Sequence, residues 1–211
     1  MMILFFGDSI TDSTRERGSN DAGRVREEYS ICPRSYGSGY VFLTAAQLFY
    51  EKPNAYEILN RGIGGDRLPQ LYARIQLDVW NENPDVLSIL VGFNDNNTGE
   101  NPNFTDVKRW GRIYRMMISD TMERCPQTKI MICEPFAIAR KDSIREYAVE
   151  AKKIAEEFGL PFVELQEKME RAVETYGLQA CLFDGTHPNI VGSKVISDAW
   201  LETFKTQVLE K

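Results

Sequence analysis

The sequence predicts an α/β chain, a three-layer α/β/α arrangement around a central parallel five-stranded sheet, and three observations carry that expectation. Short apolar runs rich in Ile, Leu, Val and Phe recur at 2–6, 56–59, 86–91, 129–133 and 161–165. Each is bounded by Gly, Pro, Asn or Asp, which is how parallel strands buried on both faces read. Segments with helical spacing lie between them at 38–51, 68–80, 104–123, 142–158 and 189–206. The 211 residues are 43% hydrophobic, enough for one sizeable core, so 1–211 is read as a single domain.

Taken in order, the first strand is Met2-Ile3-Leu4-Phe5-Phe6, stopped by Gly7-Asp8-Ser9, a turn that presents Ser9. Tyr40, Val41, Leu43, Thr44 and Leu48 mark one face of the first long helix. The second strand runs into Asn60-Arg61-Gly62-Ile63-Gly64-Gly65-Asp66, and Leu68, Leu71, Tyr72, Ile75 and Val79 form the next helical stripe. Gly92 to Asn96 follow the third strand and Glu134 to Phe136 the fourth. Alternating strands and helices imply right-handed crossovers, and in such sheets ligands sit outside the carboxyl ends of the strands. The turns after the strands therefore belong to one edge. Thr11 to Gly39 is polar, glycine-bearing and weakly patterned, the sort of loop that shapes access to a site or merely decorates it.

Composition excludes several classes. A net charge of −6 and no run of Lys or Arg argue against nucleic acid or an anionic membrane as partner. Cys32, Cys125, Cys133 and Cys181 show no C-x-x-C pairing, so neither zinc nor a redox motif is indicated, and neither metal nor cofactor is expected. Gly-Asp-Ser interrupts the apolar run after Phe6, unlike the apolar core of a secretory signal, and no stretch approaches the roughly 20 apolar residues of a membrane helix. The expectation is a cytoplasmic protein with a small-molecule substrate; a homo-oligomer is left open.

A free serine is a poor nucleophile until a base takes its proton. Ser9 alone reads first as a helix N-cap. His187 is the one histidine of the chain and lies in Asp184-Gly185-Thr186-His187-Pro188, where Asp184 is near enough to orient one ring nitrogen while the other faces Ser9. The glycines of 62–65 let backbone N–H groups approach a developing oxyanion, and Asn94 offers an amide donor. Each feature alone is ordinary loop chemistry; together, at strand ends, they point to a serine-nucleophile hydrolase.

These blocks resemble the SGNH hydrolase superfamily, also called the GDSL esterase and lipase family, over nearly the whole chain. The first is Phe6-Gly7-Asp8-Ser9-Ile10-Thr11-Asp12, the second Asn60 to Asp66, the third Gly92-Phe93-Asn94-Asp95 and the last Asp184 to Pro188. No Gly-x-Ser-x-Gly elbow is present, which separates the chain from α/β-hydrolases. The resemblance implies the flavodoxin-like SGNH fold, with Ser9 as nucleophile, His187 as general base and then acid, and Asp184 as its orienting carboxylate. It further implies an oxyanion hole made from the Ser9 N–H, the Gly65 N–H and the Asn94 amide, with Gly64 the competing glycine. Asp8 and Asp95 are read first as turn-forming neighbours.

Within that superfamily the chain looks most like carbohydrate acetylesterases of the acetylxylan-esterase type, on Gly37-Ser38-Gly39-Tyr40-Val41, Pro84 to Ile89, Glu134-Pro135-Phe136 and Asp184 to Gly192. An acetylated sugar is the substrate this implies. Such enzymes commonly carry a tryptophan just after the Asn-Asp of the third block, where this chain has Asn96, Asn97 and Thr98. Tyr40, Phe93 or Phe136 is then the expected apolar wall, and Asp8 and Arg67, with Arg61, the polar groups that could meet substrate. The alternatives are a short-chain thioesterase or lysophospholipase with the same triad and, from another class, a non-catalytic ligand-binding α/β domain.

Overall fold

The structure is a computed structural model, and it describes residues 1–17, 32–96, 103–139 and 141–210. Residues 18–31 of the weakly patterned stretch, and Asn97 and Thr98, lie outside the described residues.

Five parallel strands form one sheet: β1 (Met2–Gly7), β2 (Glu57–Gly62), β3 (Val86–Leu90), β4 (Lys129–Cys133) and β5 (Phe162–Val163), in the order β2-β1-β3-β4-β5. Side chains alternate between its faces. Ile3 and Phe5 of β1 face one core with Met131, Cys133 and Val163. Leu4 and Phe6 face another with Leu87, Ile89, Ile130 and Ile132. Both faces being apolar is why the strands read as continuous runs.

The helices divide between those faces. The short α1 (Ser9–Asp12) follows β1 directly. The helices α2 (Tyr40–Glu51), α6 (Gln166–Tyr176) and α8 (Ile190–Thr203) contribute to the first core, as does α7 (Leu178–Cys181). The second core takes α3 (Leu68–Ile75), α4 (Val107–Arg124) and α5 (Lys141–Phe158). Together these make the three layers expected from the alternation of elements.

Two boundaries move for identifiable reasons. The helix expected from 104 begins at Val107, because the Asp106 carboxylate accepts from the Arg109 N–H at 3.0 Å and caps it. The strand expected over 161–165 is paired only at Phe162–Val163. Beyond it the Glu134 carboxylate takes the N–H groups of Leu165 and Gln166 at 2.7 and 2.9 Å, turning the chain into α6. That helix was not expected: it buries only Met169 and Ala172, a stripe too narrow to show as a period.

The strand order also locates the site. From β1 the chain steps outward to β2 and then returns to place β3 on the other side of β1. The carboxyl ends of β1 and β3 therefore flank the point where strand order reverses, the crevice where open α/β sheets bind ligands.

Candidate active site

Asp8 sets the geometry at the end of β1. Its carboxylate accepts from the Ile10 N–H at 3.0 Å and caps α1, leaving Ser9 as the first helical residue. The seat for α1 exists because β2 ends in Gly62: a Cβ there would lie 2.2 Å from the Asp12 nitrogen.

The other half of the site is a hairpin-like loop. Leu182 and Pro188 bridge antiparallel, and the Phe183 N–H donates to the His187 carbonyl at 3.1 Å. Within it, Asp184 Oδ1 accepts from the Thr186 and His187 N–H groups at 3.0 and 2.7 Å, while Oδ2 lies 2.7 Å from His187 Nδ1. His187 Nε2 lies 2.9 Å from Ser9 Oγ. An ionised carboxylate can only accept, so Nδ1 carries the hydrogen and Nε2 is the acceptor for the serine hydroxyl. Ser9, His187 and Asp184 are thus joined in one hydrogen-bonded chain across 178 residues of sequence.

The carboxyls around this chain are pushed in opposite directions. Burial pushes Asp8 up to about 7, with the Ile10 N–H opposing and the Asp95 carboxylate adding to it. Burial likewise raises Asp95 to about 6, although it accepts from the Leu68 N–H at 3.0 Å. At Asp184 burial also pushes upward, but the His187 N–H and imidazole and the Thr186 N–H outweigh it and hold the carboxyl at about 2. Asp184 therefore stays ionised across the working range of an imidazole base.

The glycine turn after β2 is tied to α1. The Gly64 N–H donates to Asp12 Oδ2 at 3.1 Å, and the Arg17 guanidinium holds the same oxygen. The Arg15 Nε donates to the Gly62 carbonyl at 3.0 Å. Gly65 follows with φ +83°, a left-handed conformation that favours glycine, and its N–H makes no hydrogen bond among the described residues. The Asn94 amide donates to the Asp66 carbonyl at 3.0 Å, which joins the turns after β2 and β3.

Ser9 and His187 open into a cleft of about 530 Å³ lined also by Ile10, Ser13, Thr14, Ser38, Phe183 and Ile190. Of the residues expected to meet substrate, Tyr40 and Phe136 require correction. Tyr40 is 1% exposed and its hydroxyl is 3.1 Å from Thr11 Oγ1; Phe136 is 2% exposed. Both lie in the core because the sheet face beneath them is apolar. Arg67 is turned away, its guanidinium bonded to Gln70 Oε1 and the Asn103 carbonyl, and Arg61 pairs with Glu82 at 3.0 Å. Phe93 lines a separate cavity of about 210 Å³ behind Asp184. Asp8 lies beneath the serine, 1% exposed, so it does not form a wall of the cleft.

Phe183 is a cleft residue that sequence reasoning missed, as are Ser13, Thr14 and Ile190. A signal existed for Phe183: it is the aromatic residue directly before Asp184. Among the described residues no group of three or more His, Cys, Asp or Glu could hold a metal ion, and no helix is long and apolar enough to cross a membrane.

The model of the GDSL-like lipase/acylhydrolase family matches residues 5–195. The chain belongs to that family. An acetylxylan esterase of Geobacillus stearothermophilus is 30% identical over 209 residues, covering 94% of this chain and 91% of that one. Among solved structures, a GDSL-like lipase of Parabacteroides merdae superposes with a TM-score of 0.87 at 34% identity, covering 97% of this chain and 95% of that chain. The structure of the Geobacillus acetylxylan esterase superposes at 0.82 with 25% identity, covering 98% and 94%. This GDSL-family chain is a carboxylic ester hydrolase, an acyl esterase on an SGNH fold.

Proposed function

We propose that this esterase removes acetyl groups from carbohydrates through an acyl-enzyme on Ser9. The observation that carries the reading is the hydrogen-bonded chain Ser9–His187–Asp184 at the mouth of an open cleft. The likeness to an acetylxylan esterase supports acetyl as the acyl group and a sugar as the alcohol.

In the first step Ser9 Oγ attacks the acetyl carbonyl carbon as His187 Nε2 takes the hydroxyl proton. Asp184 holds the imidazole in the tautomer that can accept, and stabilises the cation that forms. Negative charge on the carbonyl oxygen is met by the N–H groups of Ser9 and Gly65 and by the Asn94 amide. Gly65 is preferred over Gly64 because the Gly64 N–H is already given to Asp12. The tetrahedral adduct collapses, its bond to the alcohol oxygen breaks, and His187 returns the proton to that oxygen. Water then attacks the acetyl-enzyme with the same base, releasing acetate and restoring Ser9. This chemistry asks nothing of a metal or cofactor.

The test is hydrolysis of 4-nitrophenyl esters from acetate to octanoate, with Ser9→Ala alongside, followed by acetate release from acetylated xylo-oligosaccharides. The expected result is Ser9-dependent activity that falls steeply beyond butyrate, with turnover of the sugar ester. Activity rising with chain length would move the chain to a lipase or thioesterase role.

A further inference from the structure

The cleft beside the Ser9–His187 pair is lined by two unlike sets of side chains. One comprises Phe183 and Ile190, apolar side chains that are 64% and 76% exposed. Phe183 is nonetheless held in place. Its N–H is bonded to the His187 carbonyl, and its ring stacks on the imidazole with centroids 5.7 Å apart and planes 22° apart. One face of the phenyl ring is covered by His187 and the remainder of the ring is open.

The same cleft is lined by three hydroxyls, those of Ser13, Thr14 and Ser38. Ser13 and Thr14 have φ of 42° and 56°, a left-handed pair that costs free energy, most of all for a β-branched residue. The Ser38 N–H holds this turn by donating to the Ser13 carbonyl at 2.9 Å. Ser38 Oγ lies 3.4 Å from both Ser13 Oγ and Thr14 Oγ1. Thr14 Oγ1 and Ser38 Oγ give their hydrogens to the Ser13 carbonyl at 2.7 and 3.1 Å, so they touch one another only weakly and keep lone pairs that can accept from the hydroxyls of a ligand.

Chemistry decides which part of the substrate meets these two sets. His187 must hand its proton to the alcohol oxygen, so the alcohol leaves past the imidazole, whereas the acyl carbonyl faces the oxyanion donors. A ring stacked on that imidazole therefore borders the path of the leaving group. We infer that Phe183 is the leaving-group platform: the C–H face of a pyranose lies on its open face while the sugar's free hydroxyls meet Ser13, Thr14 and Ser38. This rests on the carbohydrate reading above. The electron-rich face of an aromatic ring attracts the C–H groups of a sugar, whereas an acyl chain would leave the hydroxyls of the cleft unmatched.

The test compares kcat/KM for acetylated xylobiose with that for ethyl acetate, whose alcohol has no ring. Phe183→Leu, which keeps an apolar side chain without a flat face, is expected to lower the ratio about tenfold, mainly through KM for the sugar ester, and Phe183→Trp to preserve it. Equal losses on both esters would overturn the inference, since Phe183 would then only hold the imidazole. So would an unchanged ratio accompanied by a changed mass in solution, which would mark Phe183 as a contact between copies. Wild-type activity on ethyl acetate without acetate release from the sugar would sink the carbohydrate reading and the platform with it; failure of the Phe183 variants alone leaves the acetylesterase standing.

Discussion

Two carboxylates flank the serine, and the two regions that carry them solve opposite problems. Asp8, at the end of β1, is almost completely buried and receives one backbone N–H, so its carboxyl is pushed up to about 7. Asp184, in the loop before α8, has a side chain 43% exposed, receives two backbone N–H groups and an imidazole, and is held at about 2. Donors, not exposure alone, separate them. The strand end fixes where Ser9 stands and tolerates a costly acid beneath it. The loop keeps a charge available at every pH where a base is useful.

The sharpest way to break this division is to remove the reacting groups. Ser9→Ala or His187→Ala is expected to lower kcat by about 10⁶ on 4-nitrophenyl acetate with little change in melting temperature, because neither side chain belongs to the core. Asp184→Asn comes next, at about 10⁴, through loss of the tautomer the carboxylate selects. In the parent enzyme Asp184 is expected to contribute no step to the pH–kcat profile near neutral pH, because its carboxyl is held at about 2. Asn94→Ala should cost about 10² to 10³ in kcat with KM nearly unchanged, the signature of a donor used in the transition state.

The smallest effect tests Asp8, and its sign follows from linkage. Folding raises this carboxyl from its ordinary 3.8 to about 7, so between those values the folded chain keeps a proton that the unfolded chain has lost. That contribution to stability is full below pH 3.8 and is lost as pH rises toward 7. Asp95, raised to about 6, acts in the same direction. Asp8→Asn keeps an oxygen for the Ile10 N–H and removes the titration. Melting temperatures measured at pH 4, 5.5 and 7 should decline less in the variant than in the parent; parallel declines would place the cost elsewhere.

The sheet was legible because each strand is buried on both faces and therefore announces itself without reference to its neighbours. The grouping of Ser9, His187 and Asp184 was legible for a different reason: serine, histidine and carboxylate have few bland explanations when all three fall at loop positions bounded by glycine. What escaped depends on distant contacts. The hold of Asp12 on the Gly64 N–H spans 52 residues, and nothing local distinguishes that aspartate from a helix cap. Tyr40 and Phe136 were expected as a cleft wall because they lie in the blocks that resemble the acetylxylan-esterase type, but the apolar sheet face draws them inward. Phe183 was passed over for another reason, since an isolated aromatic in a loop carries no period that says which way it faces.

The hydrogen bond between Ser9 and His187 closes a loop of 178 residues, and this has a bearing on when the chain is dangerous to its surroundings. Contacts of such separation are entropically expensive and late to form. Until the Leu182–Pro188 bridge is in place, Ser9 is an ordinary alcohol with no base beside it. Under the mechanism proposed above, partly folded chains carry Ser9 without its reactivity, and competence to cut esters serves as a built-in report that both ends of the sequence have met.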